Sequence, residues 1–177
     1  ENSRENKLTP WSNDPISDEI HEIIYFKDMG DDDIWTITPA PIGKESLCTI
    51  THGLGYSSFK KSYKNIEQKM TVFVPIDDSI KISLLRLKNL EKNKRKIQLY
   101  YYTELVLGVH EHFTKMHLST EYHEALEMLV IKNNYNHDFP QRRVFMASTE
   151  KIESYNGDKV SFLGLGGDKI KPRALND

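Results

Sequence analysis

Short runs of β-branched and aromatic residues, broken repeatedly at Gly and Pro, set the rhythm of this chain. Residues 20–27 (IHEIIYFK) read as a strand, with Gly30 and the run Asp31, Asp32, Asp33 as its turn. Residues 34–37 (IWTI) follow and stop at Pro39 and Pro41, which have no N–H to give to a ladder. Residues 47–51, 66–74, 80–87, 97–107, 144–147 and 160–165 complete the set. Short strands at this spacing, separated by turn residues, predict an all-β antiparallel sandwich or barrel. Asp77 and Asp78 read as a tight link between two strands, and residues 89–96 (NLEKNKRK) as a charged hairpin tip. Residues 119–132 break the pattern. Their good helix formers, a capping-box-like start at Thr120, and the spacing of Leu126, Leu129 and Val130 favour a helix.

Composition narrows the classes. The chain has 177 residues, 38% of them hydrophobic, enough to bury roughly 70% of its unfolded surface without metal or disulfide staples. Its 24 Lys+Arg against 26 Asp+Glu give a net charge of −2, so nothing in the overall charge calls for nucleic acid. The longest apolar runs, such as Leu105-Val106-Leu107, are too short for a membrane span, and the polar stretch Glu1 to Thr9 does not read as a signal peptide. Cys48 is the single cysteine and cannot close an intrachain disulfide, which leans towards a reducing, cytoplasmic compartment.

Several clusters invite a chemical reading. His110, His112, His117 and His123 crowd together, and on a strand His110 and His112 would share one face, an arrangement that can offer two metal ligands. The carboxylate and distant third histidine of a complete metal set do not follow, so surface or packing histidines are the default. Gly53-Leu54-Gly55 and Gly164-Leu165-Gly166-Gly167 lack phosphate-loop spacing and read as turns. Ser57 and Ser58 lack a nucleophile elbow, and no cation is expected near Cys48 to lower its pKa. Lys88, Lys92, Lys94, Arg95 and Lys96 read as a solvated tip rather than a phosphate patch, because stacking aromatics are missing beside them. Residues 2–15 (NSRENKLTPWSNDP) are different: dense in Arg, Asn, Asp and Glu around one Trp, with little to anchor them as core. A planar Trp can stack on the apolar face of a pyranose while amides and carboxylates bond its hydroxyls. A loosely attached leader is the alternative.

Residues 2–15 resemble a signature of the glycoside phosphorylases of glycoside hydrolase family 94, related to cellobiose and chitobiose phosphorylase. The form is most like the phosphorylase part of bacterial cyclic β-1,2-glucan synthases. The resemblance continues in order through residues 52–57 (HGLGYS), 70–75 (MTVFVP), 77–89 (DDSIKISLLRLKN), 102–108 (YTELVLG), 143–149 (RVFMAST) and 162–167 (FLGLGG). Residues 117–135 diverge most, and Asn133-Asn134-Tyr135-Asn136 stands where the family often has Asn-Pro-Tyr-Asn.

The resemblance implies an antiparallel super-sandwich similar to galactose mutarotase, a single domain over residues 1–177, and a strand rather than a helix at residues 124–132. It also implies a fragment of a larger enzyme, with its first strands missing and its catalytic (α/α)6 barrel, including the general acid Asp, beyond this chain. In that chemistry the acid protonates the glycosidic oxygen while inorganic phosphate attacks the anomeric carbon from the opposite face. The expected role is non-catalytic: buttressing the barrel, contributing to a homodimer and shaping a site for β-glucan oligosaccharide. Arg4, Glu5, Asn6, Trp11, Asn13 and Asp14 are the expected substrate contacts. No cofactor, metal, nucleic acid or membrane contact is expected. Two alternatives stay open: a self-sufficient aldose 1-epimerase using Glu104 with His110 or His112, and a stand-alone carbohydrate-binding module.

Overall fold

A computed structural model describes residues 6–11, 14, 16 and 19–176. The chain divides into two compact units, residues 1–22 with 103–167 and residues 23–102 with 168–177. Strands dominate both, and every pairing whose register is resolved is antiparallel.

The second unit holds two sheets. The smaller orders β2 (Ile34–Thr36), β1 (Glu22–Asp28) and β7 (Ile97–Thr103). The larger orders β3 (Cys48–Gly53), β4 (Tyr56–Tyr63), β5 (Ile66–Phe73) and β6 (Ile82–Asn89). Period-two alternation turns Ile66, Gln68 and Met70 of β5 inward, where they meet Phe26 of β1 and Trp35 of β2. Trp35 is fully buried, lies parallel to Phe26 at 5.6 Å, and donates its indole N–H to Gln68 Oε1 at 3.0 Å. Two-residue turns close the β3–β4 and β4–β5 hairpins. Lys64 and Asn65 both adopt positive φ between β4 and β5, as a twist-matched turn requires.

The first unit holds a three-stranded sheet ordered β10 (Val144–Ala147), β9 (Met128–Asn133) and β8 (Leu118–His123). Two short helices accompany it, α1 (Glu111–Thr114) and α2 (Lys159–Leu163).

The all-β expectation holds, with local corrections. Residues 119–132 form β8, a single 3-10 turn (Glu124–Leu126) and β9 instead of a helix, so the strand expected over 124–132 starts at Met128. Residues 160–165 are not a strand. Asp158 caps α2 by accepting from the Val160 and Ser161 amides, and Gly164 ends it at φ +95°. The strand expected over 97–107 ends at Thr103. Asp77 and Asp78 are not a tight link, since β5 ends at Phe73 and β6 begins at Ile82. Residues 89–96 are not a hairpin tip, because β6 and β7 belong to different sheets. Arg95 is largely buried there and ion-pairs with Asp28. Finally, β4 went unread in the sequence because a lysine, Lys61, occupies one of its inward positions at 2% exposure. Its ammonium donates to the carbonyls of Thr36 and Gly43.

Candidate functional site

The first unit contains a cleft of about 440 Å³ whose walls come from widely separated stretches: Trp11 and His21, Glu104 to His112, and Lys159. Backbone bonds draw the early residues alongside the middle of the chain. The Lys7 amide donates to Gly108 O at 2.8 Å, Val106 to Leu8 O at 3.0 Å, and Glu104 to His21 O at 2.9 Å. The Lys7–Gly108 pair is an antiparallel bridge.

The wall then bends sharply. Leu107 takes φ +47°, a conformation that costs a side-chain-bearing residue of order 1 kcal/mol. Its carbonyl is clasped by the amides of Asn133 and Asn136 at 2.8 and 3.1 Å. Next to it, Gly108 is required by space: a Cβ there would sit 2.7 Å from Thr114 Cγ2. This close approach seats α1, with His110 at its N-cap and His112 in its turn, so the two histidines do not share a strand face as expected.

Glu104 is the electrostatic centre. Its side chain is 7% exposed; Oε2 accepts from His21 Nδ1 at 2.9 Å, and Oε1 from Lys159 Nζ at 3.0 Å. A carboxylate this buried is tolerated only with such partners. The second partner exists because of α2. The Ser161 hydroxyl, with the Ser161 and Val160 amides, hydrogen-bonds the Asp158 carboxylate and holds it below the usual range. That cap starts the helix bearing Lys159.

The arrangement suits a neutral polyol. Trp11, 56% exposed, offers a flat apolar face in a wall otherwise rich in imidazole, ammonium and carboxylate groups. As a general base Glu104 is hampered, because both of its oxygens are already engaged by donors. The histidines turn to aromatic neighbours: His110 and His112 contact Phe113, and His117 stacks on Tyr135 at 4.8 Å. No group of three His, Cys, Asp or Glu among the described residues is arranged to hold a metal. Cys48 does have a cation opposite it in the ladder, Lys61, contrary to the sequence expectation; burial nonetheless wins and pushes the thiol pKa up.

Of the expected sugar contacts, Trp11 lines the cleft. Asn6 accepts from Asn136 Nδ2 at 3.3 Å, and Asp14 Oδ1 accepts from the Ile16 amide at 3.0 Å. Arg4, Glu5 and Asn13 lie outside the described residues. Sequence reasoning missed Lys7, Glu19, His21 and Lys159. The only available signal was the Asp158-x-x-Ser161 capping pattern, which would have placed Lys159 on a helix.

Comparison with known proteins identifies the family of the chain. A model of the glycosyl hydrolase 94 supersandwich domain matches residues 1–177. The cyclic beta-(1,2)-glucan synthase NdvB of Rhizobium meliloti (strain 1021) is 33% identical over 175 residues, covering 98% of this chain and 6% of that protein. The N,N'-diacetylchitobiose phosphorylase of Vibrio proteolyticus is 28% identical, covering 96% and 22%. The solabiose phosphorylase of Paenibacillus borealis is 27% identical, covering 85% and 20%. The chain thus spans less than a quarter of each of these relatives. With a match over its whole length and an antiparallel all-β architecture, the chain belongs to the glycosyl hydrolase 94 supersandwich-domain family.

Proposed function

We propose that this chain is the non-catalytic, carbohydrate-associated domain of a larger β-glucan phosphorylase or cyclic β-1,2-glucan synthase-type glycosyltransferase. In this reading residues 1–177 work as one supporting domain. The cleft around Trp11 shapes the sugar site, while bond cleavage and inorganic phosphate belong to a catalytic barrel elsewhere in the protein. Dimerisation through this domain and a cytoplasmic setting are parts of the same reading. The observation that carries it is the cleft, where an exposed indole face lies among fixed hydrogen-bonding groups. The cyclic beta-(1,2)-glucan synthase relative suggests the substrate class of this reading, a β-linked glucan. Asn6 and Asp14, with Arg4, Glu5 and Asn13, are the further polar contacts proposed.

Trp11→Ala in the full-length protein tests the reading. The expected result is about tenfold weaker affinity for the oligosaccharide, the loss of one stacked ring face. Unchanged phosphorolysis and unchanged affinity would overturn it.

One observation favours a second reading. Glu104, His110 and His112 do share one cleft, as an aldose 1-epimerase would need. The clamp of His21 and Lys159 on Glu104 argues against it by engaging both carboxylate oxygens. Polarimetry on glucose and galactose decides: acceleration over buffer, abolished by Glu104→Gln, would establish epimerase activity.

A further inference from the structure

The cleft does not end at its own lining. Its residues His110 and His112 are in ring contact with Phe113, at centroid distances of 6.1 and 3.9 Å, and with each other at 5.6 Å. Phe113 is 67% exposed and Met116, just beyond α1, is 82% exposed. An apolar strip therefore continues outward from a wall that already presents Trp11 and the half-exposed Val109. The mount is firm. Thr114 is buried against Gly108, its hydroxyl donates to the His110 carbonyl at 3.3 Å, and the Lys115 amide closes the turn on Glu111 O at 2.9 Å. A fixed aromatic face flanked by two imidazoles, each able to donate or accept, is matched to a sugar ring: apolar C–H face against Phe113, hydroxyls to the imidazole nitrogens.

We propose that Phe113, with His110 and His112, forms an outer subsite that takes the next sugar unit of a neutral β-linked oligosaccharide whose inner unit occupies the Trp11 cleft. This rests on the sugar-cleft reading above. It adds a length preference: short ligands fill only the inner position, and longer ones gain the Phe113 face as well. The gain is favourable because the platform is already ordered, so stacking on it does not cost the freezing of a mobile loop.

The test uses the full-length protein and calorimetric titration with glucose and with β-1,2-linked gluco-oligosaccharides of two to six units. Wild-type affinity is expected to rise with length. Phe113→Ala should cost about tenfold for ligands of two or more units and leave glucose unaffected. Phe113→Tyr, which keeps the ring, should retain the gain and so separates lost stacking from lost folding. Trp11→Ala should weaken every length. If Phe113→Ala affects all lengths equally, or none, the outer subsite is overturned while the cleft reading stands. If Trp11→Ala is harmless at every length, the cleft reading itself fails and takes the subsite with it.

Discussion

Three donors converge on the carboxylate of Asp33: Lys44 Nζ at 2.9 Å, Lys64 Nζ at 2.9 Å and the Tyr63 hydroxyl at 2.8 Å. Burial pulls its pKa up, but the three donors together outweigh that and hold it far below the ordinary carboxylate value. A lowered folded pKa means the stabilisation is complete above the unfolded value, about 3.9. It is lost as the pH falls from there through the lower folded value. Asp28, where Arg95 and the Gly30 amide outweigh burial, acts in the same sense. Asp33→Asn is therefore expected to cost about 1 kcal/mol at neutral pH, limited by solvent screening of the two lysines, and to flatten the acid side of the stability curve. Urea melts between pH 2 and pH 7 measure both effects. An acid limb as steep as wild type would contradict the assignment. Such residues could not be picked from the sequence: the Asp31, Asp32, Asp33 run was legible as a turn, but that Asp33 gathers three donors is decided by residues that follow it.

At the level of elements, the register of the larger sheet sets Lys60 directly opposite Lys69, and Lys69 directly opposite Arg86, all three exposed on the same face. One step along, Glu67 faces Lys88 in the usual complementary way. Like charges directly across a ladder destabilise it. Lys69→Glu should accordingly stabilise the protein by about 0.5–1 kcal/mol, with the gain shrinking as salt screens it. Thermal melts at low and high ionic strength check this, and a destabilised variant would refute the register. The strands that the sequence announced are those with apolar inward positions, such as β1 and β5. One element it misassigned, α2, is too short for periodicity, so its cap decides the conformation. Asp158→Ala should unwind α2 and loosen Lys159 from Glu104. The expected readout is faster amide exchange at Val160 and Ser161 together with weaker oligosaccharide binding; a helix that persists would show the cap to be dispensable.

For the molecule as a whole, an all-β body of about this size was legible from strand spacing, and residues 2–15 pointed to sugar through Trp11. The rest of the cleft was hidden because it depends on long-range pairing. His21 and Glu104 are 83 positions apart, and no local pattern links either to Lys159. A cleft open on one side, offering few contacts, should give the chain alone weak sugar affinity after the cost of association. Titration of residues 1–177 with linear β-1,2- and β-1,4-glucans is expected to show no saturation below the millimolar range. Tight binding would make it an independent carbohydrate-binding module instead. Replacing Glu104 by Gln should lower stability by about 2–3 kcal/mol, since it leaves two donors facing a neutral amide. The same clamp bears on the order of events during synthesis. A ribosome delivers Trp11 and His21 early, yet the ammonium that completes the charge balance around Glu104 arrives only with residue 159. Until then the Glu104 carboxylate lacks that ammonium, and the pocket of the nascent protein is unfinished.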